Sequence, residues 1–120
     1  MSRNTFVTPK GFIWYLLFFF RAFTLTELLL NNLENGGTES DPARIIHVSS
    51  MTNIRGKFDV DNPDFNLRKS PFNSGLQYAT SKLLLLHYNS ELARRLEGSS
   101  CETVALHPGN KFYLLEAKKE

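Results

Sequence analysis

Two short apolar stretches on either side of a long helical stretch constrain the fold of this chain more than any other feature of its sequence. RIIHVSS (44–50) and TVALHPG (103–109) have the length and composition of β-strands, and Pro108-Gly109 ends the second. A helical segment runs over 75–97 between them. A helix between two strands is typical of a crossover that joins parallel strands. The sequence therefore predicts an α/β fold with a parallel sheet, in which the first strand is buried on both faces.

Capping residues mark the ends of the helix between the two strands. Ser74 and Gln77 have the spacing of a capping box, which predicts that the helix begins near Gly75. Gly98 suits the position after the last turn, so the helix is predicted to end near Glu97. Its four consecutive leucines point around the whole cylinder, so more than one side of the helix is predicted to be buried.

A second helix is predicted nearer the N-terminus. Apolar residues recur with helical spacing over 23–33, and the segment 34–43, with its glycines and proline, breaks the pattern. Before this helix lies GFIWYLLFFF (11–20), which is shorter than the roughly 20 apolar residues that a membrane-spanning helix needs. It is interpreted either as the front of the buried helix or as a segment that contacts a membrane surface. Residues 51–73 are mostly polar and are predicted to form a long surface loop.

The composition limits the classes of function. The chain of 120 residues is long enough for one domain, and its net charge of only +2 gives no indication of a nucleic-acid partner. Cys101 is the sole cysteine, so the sequence predicts no internal disulfide and no metal site built on paired cysteines. These features favour a reducing compartment. The expected location is the cytoplasm, or the cytoplasmic face of an intracellular membrane, rather than outside the cell.

Candidate functional residues stand where the two strands end. Ser50 is at the carboxyl end of the first strand, and Pro108-Gly109 is at that of the second. Tyr78 and Lys82 are four residues apart near the start of the helix, which puts their Cβ atoms about 5–6 Å apart on one face. Ligands of open α/β sheets bind beyond the carboxyl ends of the strands. All of these residues are therefore predicted to meet in one crevice.

This set of side chains suits a specific chemistry. A tyrosine hydroxyl is a poor acid or base at neutral pH unless a positive charge nearby favours the phenolate, and Lys82 can supply that charge. A serine hydroxyl beside it can hold a carbonyl or alcohol oxygen. Such a site suits interconversion of an alcohol and a carbonyl with a cofactor that carries hydride. Without these neighbours, Tyr78 and Lys82 would be interpreted as an ordinary helix surface. His47 and His107 are predicted to be structural.

RIIHVSS, YATSK, ELARRLEG and VALHPGN, in this order across residues 44–110, resemble the second half of a short-chain dehydrogenase/reductase. The resemblance is to the branch that contains retinol dehydrogenase-like enzymes and the WW-domain-containing oxidoreductase. FTLTELLLNNLE (23–34) resembles the helix that precedes the first of these strands. The resemblance implies a partial Rossmann-like fold with a doubly wound parallel sheet. It also implies a lipophilic alcohol or carbonyl substrate, such as a retinoid or steroid.

The same resemblance implies a role for each candidate residue. Tyr78 corresponds to the catalytic acid/base, and Lys82 to the lysine that favours the phenolate and holds the nicotinamide ribose. Ser50 corresponds to the serine that orients the substrate, and the serine before it is the less favoured candidate. Pro108 and Gly109 correspond to the turn beside the nicotinamide. The implied cofactor is NAD or NADP, bound in part by Tyr78, Lys82 and this turn.

The chain also departs from the family pattern. No G-x-G-x-x-G segment or related glycine pattern follows a strand, so the N-terminal dinucleotide-binding βαβ units are expected to be missing. The position of the family's catalytic asparagine falls near Phe18 in the apolar run. The predicted division is a divergent segment over 1–22, a partial catalytic region over 23–110 and a divergent tail over 111–120.

Two classes of function follow from these departures. In the first, the chain is the catalytic part of an NAD(P)(H)-dependent oxidoreductase, expected to be truncated and inactive alone. In the second, it is a non-enzymatic chain that pairs with another subunit through helices 23–34 and 75–97, or that associates with a membrane surface.

Overall fold

The computed structural model describes residues 16–61 and 73–109. Two helices and two strands alternate along this part of the chain: α1 (Arg21–Gly36), β1 (Ala43–Val48), α2 (Ser74–Arg95) and β2 (Cys101–Leu106). A π-helical turn (Leu16–Phe20) precedes α1, and a 3-10 helix (Met51–Arg55) follows β1. The predicted tail over 111–120, the first half of the apolar run and most of the second half of the predicted surface loop lie outside the described residues.

The two strands form a parallel pair, as the sequence predicts. Their register runs from Ala43 opposite Cys101 to Val48 opposite Leu106. Just past the strand, the backbone N–H of Ser49 donates to the carbonyl oxygen of Leu106 at 2.8 Å. Because the strands are parallel and in this register, their carboxyl ends lie at one edge of the sheet.

Burial of β1 differs from the prediction that both of its faces are covered. Ile45 and His47 point into the core, whereas Ile46 and Val48 on the other face are 57% and 50% exposed. The reason is that α1 and α2 both pack against the same face of the sheet. The strand therefore has a buried side and an open apolar side among the described residues.

The core lies between the two helices and the inner face of the sheet. It consists of buried residues from all four elements and the turn after α2: Leu30, Ile45, Leu85, Tyr88, Leu92, Leu96 and Cys101. Of the four consecutive leucines in α2 only Leu85 is fully buried, and the other three are half-buried. Burying a side chain of this size stabilises the fold by roughly 1.5–3 kcal/mol. This packing fixes the position of α2 against the strands.

The N-terminal end of α2 corrects the predicted capping box. The cap is Asn73, whose side-chain oxygen accepts a hydrogen bond from the backbone N–H of Leu76 at 2.9 Å. The helix therefore begins at Ser74, one residue before the predicted start. Both Asn and Ser satisfy a free N–H at a helix start equally well, so the sequence pattern could not select between them. At the other end, Gly98 takes the left-handed conformation, with φ +77°, that favours glycine.

The first helix is longer than predicted. The turn over Leu16–Phe20 continues directly into α1, so the described part of the apolar run is helical, as predicted. The prediction that it is buried holds only in part, because Leu17 and Phe20 are 48% and 40% exposed. After α1, the chain passes so close to the second strand that a Cβ on Gly37 would overlap the carbonyl oxygen of Ser100. In residues 16–61 and 73–109, no helix has the length and apolar character to cross a membrane.

Candidate active site

Tyr78 and Lys82 lie together on the first turns of α2, beside the end of β1. Both side chains are half-buried. The ammonium nitrogen Nζ of Lys82 donates a hydrogen bond to the carbonyl oxygen of Val48 at 2.9 Å. The same nitrogen lies 5.7 Å from the centroid of the Tyr78 ring. The structure thus brings the predicted pair together, and it places the pair at the carboxyl edge of the sheet.

The surroundings of Lys82 lower its pKa. Burial lowers the pKa of Lys82 below its ordinary value, because removal of water disfavours the charged form. The Val48 carbonyl oxygen opposes this effect, since it accepts a hydrogen bond from the ammonium group. A lysine in this setting is a fixed donor next to a tyrosine, rather than a freely moving surface charge.

Phe18, from the turn before α1, forms a further part of the wall of the site. The ring of Phe18 meets the ring of Tyr78 edge to face, with centroids 5.0 Å apart and an interplanar angle of 87°. Lys82 Nζ lies 5.7 Å from the Phe18 ring centroid. The resemblance placed the family's catalytic asparagine near Phe18. That alignment did not predict that the Phe18 ring would contact α2.

The two serines after β1 have different environments. The hydroxyl of Ser49 is buried and donates to the backbone carbonyl of Lys82 at 3.2 Å, so it attaches the strand end to α2. Ser50 is half-buried and caps the 3-10 helix: its Oγ accepts from the backbone N–H of Thr52 at 3.3 Å and from the Thr52 hydroxyl at 3.0 Å. In both bonds Ser50 Oγ is the acceptor, so its own O–H can donate to a substrate oxygen.

The segment that follows the 3-10 helix is attached directly to α2. The hydroxyl of Thr80 accepts from the N–H of Lys57 at 3.0 Å and shares its proton between the carbonyl oxygens of Lys57 at 3.0 Å and Leu76 at 2.8 Å. A Cβ on Gly56 would stand 2.8 Å from the carbonyl oxygen of Ala79, so glycine permits the close approach. This segment and the Tyr78–Lys82 turn therefore keep a fixed relation.

Pro108 and Gly109 follow β2 at the same edge of the sheet as Ser50. Both residues are exposed, and Gly109 has φ +91°, a conformation that other residues adopt at a cost. A Cβ on Gly109 would meet nothing within 4 Å, so the glycine is required by the turn and not by crowding. The backbone of Gly109 is therefore accessible to solvent beside the ends of the two strands.

His47 and His107 are the two histidines that were predicted to be structural. His47 is buried, with one ring nitrogen 3.2 Å from the Thr26 hydroxyl and the other 2.9 Å from the side-chain oxygen of Asn89. These bonds give it the structural position predicted for it. His107 is exposed after the end of β2.

An open groove leads away from the site between α1 and β1. Its volume is about 850 Å³, and Lys82 and Phe18 lie on its wall. Most of the remaining wall is apolar and comes from Leu17, Leu25, Leu28, Ile46 and Val48. The groove therefore joins the polar end of the site to an apolar surface.

Comparisons with known proteins connect this geometry to a family, although no protein-family model matches the chain. The chain is 41% identical over 87 residues to human (Homo sapiens) retinol dehydrogenase 13 and 43% identical over 88 residues to human retinol dehydrogenase 11. Each alignment covers 72% of this chain, and covers 24% and 25% of the two relatives. The chain thus spans about a quarter of the length of the curated relatives it matches.

A solved structure is similar in both sequence and fold. It is the crystal structure of an uncharacterized protein from Mycobacterium Paratuberculosis, with 37% sequence identity and a TM-score of 0.50. The match covers 57% of this chain and 25% of that one. The parallel strands with their crossover helix agree with a partial Rossmann-like fold. Over the region of these matches, the chain is a homologue of retinol dehydrogenases, in agreement with its resemblance to part of a short-chain dehydrogenase/reductase.

Proposed function

We propose that this chain carries the acid/base part of an NAD(P)(H)-dependent oxidoreductase that interconverts a lipophilic alcohol and the corresponding carbonyl compound. The observation that carries the proposal is the position of Lys82 Nζ, which is hydrogen-bonded to Val48 and stands beside Tyr78 at the carboxyl edge of the sheet. The ammonium group held there places a hydrogen-bond donor and a positive charge beside the ring of Tyr78. This position of Lys82 beside Tyr78 supports a role for the pair in proton transfer to or from a substrate oxygen.

Each residue has a distinct role in this proposal. In reduction, the hydroxyl of Tyr78 gives its proton to the carbonyl oxygen while hydride arrives at the carbonyl carbon. In oxidation, the phenolate takes the proton from the alcohol while hydride leaves. The hydroxyl of Ser50 donates a hydrogen bond to the same substrate oxygen, and Lys82 compensates the charge on the phenolate.

The residues at the sheet edge fit the nicotinamide end of a dinucleotide. Lys82 offers N–H donors to a ribose hydroxyl, and the turn at Pro108-Gly109 exposes backbone without a side chain, where a flat ring could approach. NAD(P), when bound, supplies or accepts the hydride. Among residues 16–61 and 73–109, neither strand is followed by a glycine-rich turn that leads into a helix. The described residues therefore account for the nicotinamide end alone.

The apolar groove supports a lipophilic substrate. Lys82 lies on its wall together with Leu25 and Leu28, so a long apolar molecule could lie in it with its oxygen near Lys82, which stands beside Tyr78. The relatives are named retinol dehydrogenases. A retinoid or a compound of similar size and polarity, such as a steroid, is the substrate class that we assign.

Turnover by the purified full chain tests the proposal. All-trans-retinal with NADPH or NADH, and retinol with the oxidised cofactors, would be assayed for the wild type and for Tyr78→Phe. We expect Tyr78→Phe to lower kcat about 100-fold or more, because the proton donor is lost. Tyr88→Phe is the matched control, since Tyr88 is buried in the core and bonded to Glu27. It should leave kcat within a few-fold.

Two results would contradict the proposal. The first is a Tyr78→Phe variant whose turnover equals that of the wild type. The second is a folded wild-type chain that binds neither cofactor at millimolar concentration, which would mean that these residues do not act in this chain by itself.

A non-enzymatic role is the second candidate, and the exposed leucines of α1 favour it. Leu25 and Leu28 are 60% and 74% exposed, and Leu29 beside them is also largely exposed. An apolar stripe of this kind can pair with a helix of another chain or lie on a membrane surface. Sedimentation of the same purified chain, alone and with lipid vesicles, separates these roles from that of an independent enzyme.

A further inference from the structure

The ammonium group of Lys82 is enclosed by three groups from three different segments. The carbonyl oxygen of Val48 in β1 accepts its hydrogen bond at 2.9 Å. The ring of Tyr78 in α2 and the ring of Phe18 in the turn before α1 each have their centroid 5.7 Å from Nζ. Phe18 also meets Tyr78 edge to face at 5.0 Å. Phe18 therefore touches both members of the proposed catalytic pair.

We propose that Phe18 is a positioning residue for the Tyr78–Lys82 pair: its ring holds the ammonium against the Val48 carbonyl and fixes the orientation of the phenol. The catalytic meaning of this role rests on the proposed function. The structural role does not, because it follows from the contacts among these four residues. By the resemblance, the family's catalytic asparagine is expected near this aromatic ring.

The physical basis is the charge distribution of an aromatic ring. The face of the ring is negative, so it attracts a cation, whereas its edge is positive and packs well against the face of another ring. Phe18 uses both properties, since the ammonium lies within 6 Å of its centroid and its ring is nearly perpendicular to that of Tyr78. Unlike an amide, a phenyl ring has no hydrogen-bond donor or acceptor for water. It therefore positions the lysine and covers one side of its ammonium group.

Other charged and titratable groups around Lys82 are few among the described residues. Arg21, at the start of α1, and His47, in β1, line the same groove as Lys82, and Tyr78 is its neighbour within α2. His47 is held by Thr26 and Asn89 in the core. Of these groups, Phe18 contacts Tyr78. A substitution at Phe18 therefore acts on Lys82 directly, or through the Tyr78 ring that it orients.

The test is the titration of Lys82 in the full chain, followed by NMR of ¹⁵N- and ¹³C-labelled lysine side chains. Phe18→Leu keeps an apolar side chain but removes the ring, so the Lys82 pKa should fall by roughly 0.5. Phe18→Ala admits water, so the Lys82 pKa should rise toward its ordinary value. Phe18→Trp restores a ring and should return the Lys82 pKa to the wild-type value or above it.

Phe20→Leu is the matched control, because Phe20 lies in the same turn and on the same groove, and its ring packs against Phe19 with centroids 5.4 Å apart. This variant should leave the Lys82 titration unchanged. Circular dichroism would confirm that each variant keeps its helices. The ring-current shifts of the Tyr78 ring protons that come from Phe18 should be lost in Phe18→Leu and persist in Phe20→Leu.

An unchanged Lys82 titration in folded Phe18→Leu and Phe18→Ala would overturn the inference, as would equal effects of the Phe18 and Phe20 substitutions. The result is separable from the proposed function because the titration requires no turnover. If the Lys82 shifts are as expected but turnover does not depend on Tyr78, the positioning role of Phe18 is supported and the proposed function is contradicted.

Discussion

At the scale of single residues, Gln77, which precedes the proposed acid/base Tyr78, has a buried side-chain oxygen without a hydrogen bond among the described residues. The Gln77 side chain is 2% exposed. A buried acceptor without a partner costs roughly 1–3 kcal/mol. Its neighbours Thr80 and Ser81, by contrast, are buried with hydroxyls that donate to backbone carbonyls. The first turns of α2 therefore contain one polar group that reduces stability.

Replacement of that amide should stabilise the chain. Gln77→Met keeps the length of the side chain and removes the unpaired oxygen, so we expect the free energy of unfolding to rise by about 1 kcal/mol. The measurement is urea unfolding followed by circular dichroism. Asn89→Leu is the opposite case, because the Asn89 oxygen is bonded to both His47 and Thr103. That variant should lose about 1–3 kcal/mol. A destabilised Gln77→Met chain would contradict this account.

At the scale of secondary-structure elements, the end of α1 depends on a contact that lies far away in the sequence. The N–H of Gly37 caps the helix by donating to the carbonyl oxygen of Leu33 at 3.1 Å. Its Cα faces the backbone just before β2, where a Cβ would overlap the Ser100 oxygen and approach the nitrogen of Ala43 to 2.6 Å. Main-chain atoms held in the sheet cannot move aside. Glycine at this position therefore joins the end of one helix to the start of both strands.

Two adjacent glycines make this requirement testable. Gly37→Ala should lower the free energy of unfolding by about 2–3 kcal/mol through overpacking. Gly36→Ala should leave it unchanged or raise it by up to about 1 kcal/mol, because a Cβ there meets nothing within 4 Å and alanine favours the helix. Thermal unfolding of the two variants would measure the difference. Equal melting temperatures would show that the approach of Gly37 to Ser100 does not exist in solution.

At the scale of the whole molecule, an ion pair joins the two helices. The carboxylate of Glu27 in α1 accepts hydrogen bonds from Arg95 and from the hydroxyl of Tyr88, both in α2 and both at 2.8 Å. These bonds, with Arg95 the larger influence and Tyr88 next, lower the pKa of Glu27 below its ordinary value. A carboxyl with a lowered pKa in the folded state adds stability above its unfolded pKa of about 4.5. That stability is lost as the pH falls through the folded value.

The expected consequence is a sensitivity to acid that depends on Glu27. Glu27→Gln should flatten the loss of stability below pH 4.5, because the variant has no carboxylate to protonate. Glu91→Gln is the control. Glu91 also has a lowered pKa, mainly through its hydrogen bond with Arg94, but this pair lies exposed on one helix and is screened by solvent. Chemical unfolding between pH 3 and pH 7 would compare them, and identical curves for Glu27→Gln and the wild type would contradict the prediction.

The whole chain also shows what its sequence could and could not reveal. Strand composition and the intervening helix sufficed to predict the parallel pair, because both are local patterns. The i, i+4 spacing sufficed to bring Tyr78 and Lys82 together. The sequence did not indicate which face of β1 is exposed, because that depends on α1 and α2 both packing against the same face of the sheet. It also did not indicate that Phe18 would reach Tyr78 and Lys82, a contact between segments about 60 residues apart.

The parallel register of the two strands sets the order in which the site can form during folding. The helices form from local contacts, but the pairing of Ala43 with Cys101 requires closure of a loop that contains all of α2. Ser50 and Pro108-Gly109 share an edge only after that closure. The candidate site is therefore a late product of folding, and a partly folded chain has the helices without it. Protection of the Ser49 amide against hydrogen exchange, through its bond to Leu106, should report the moment of assembly.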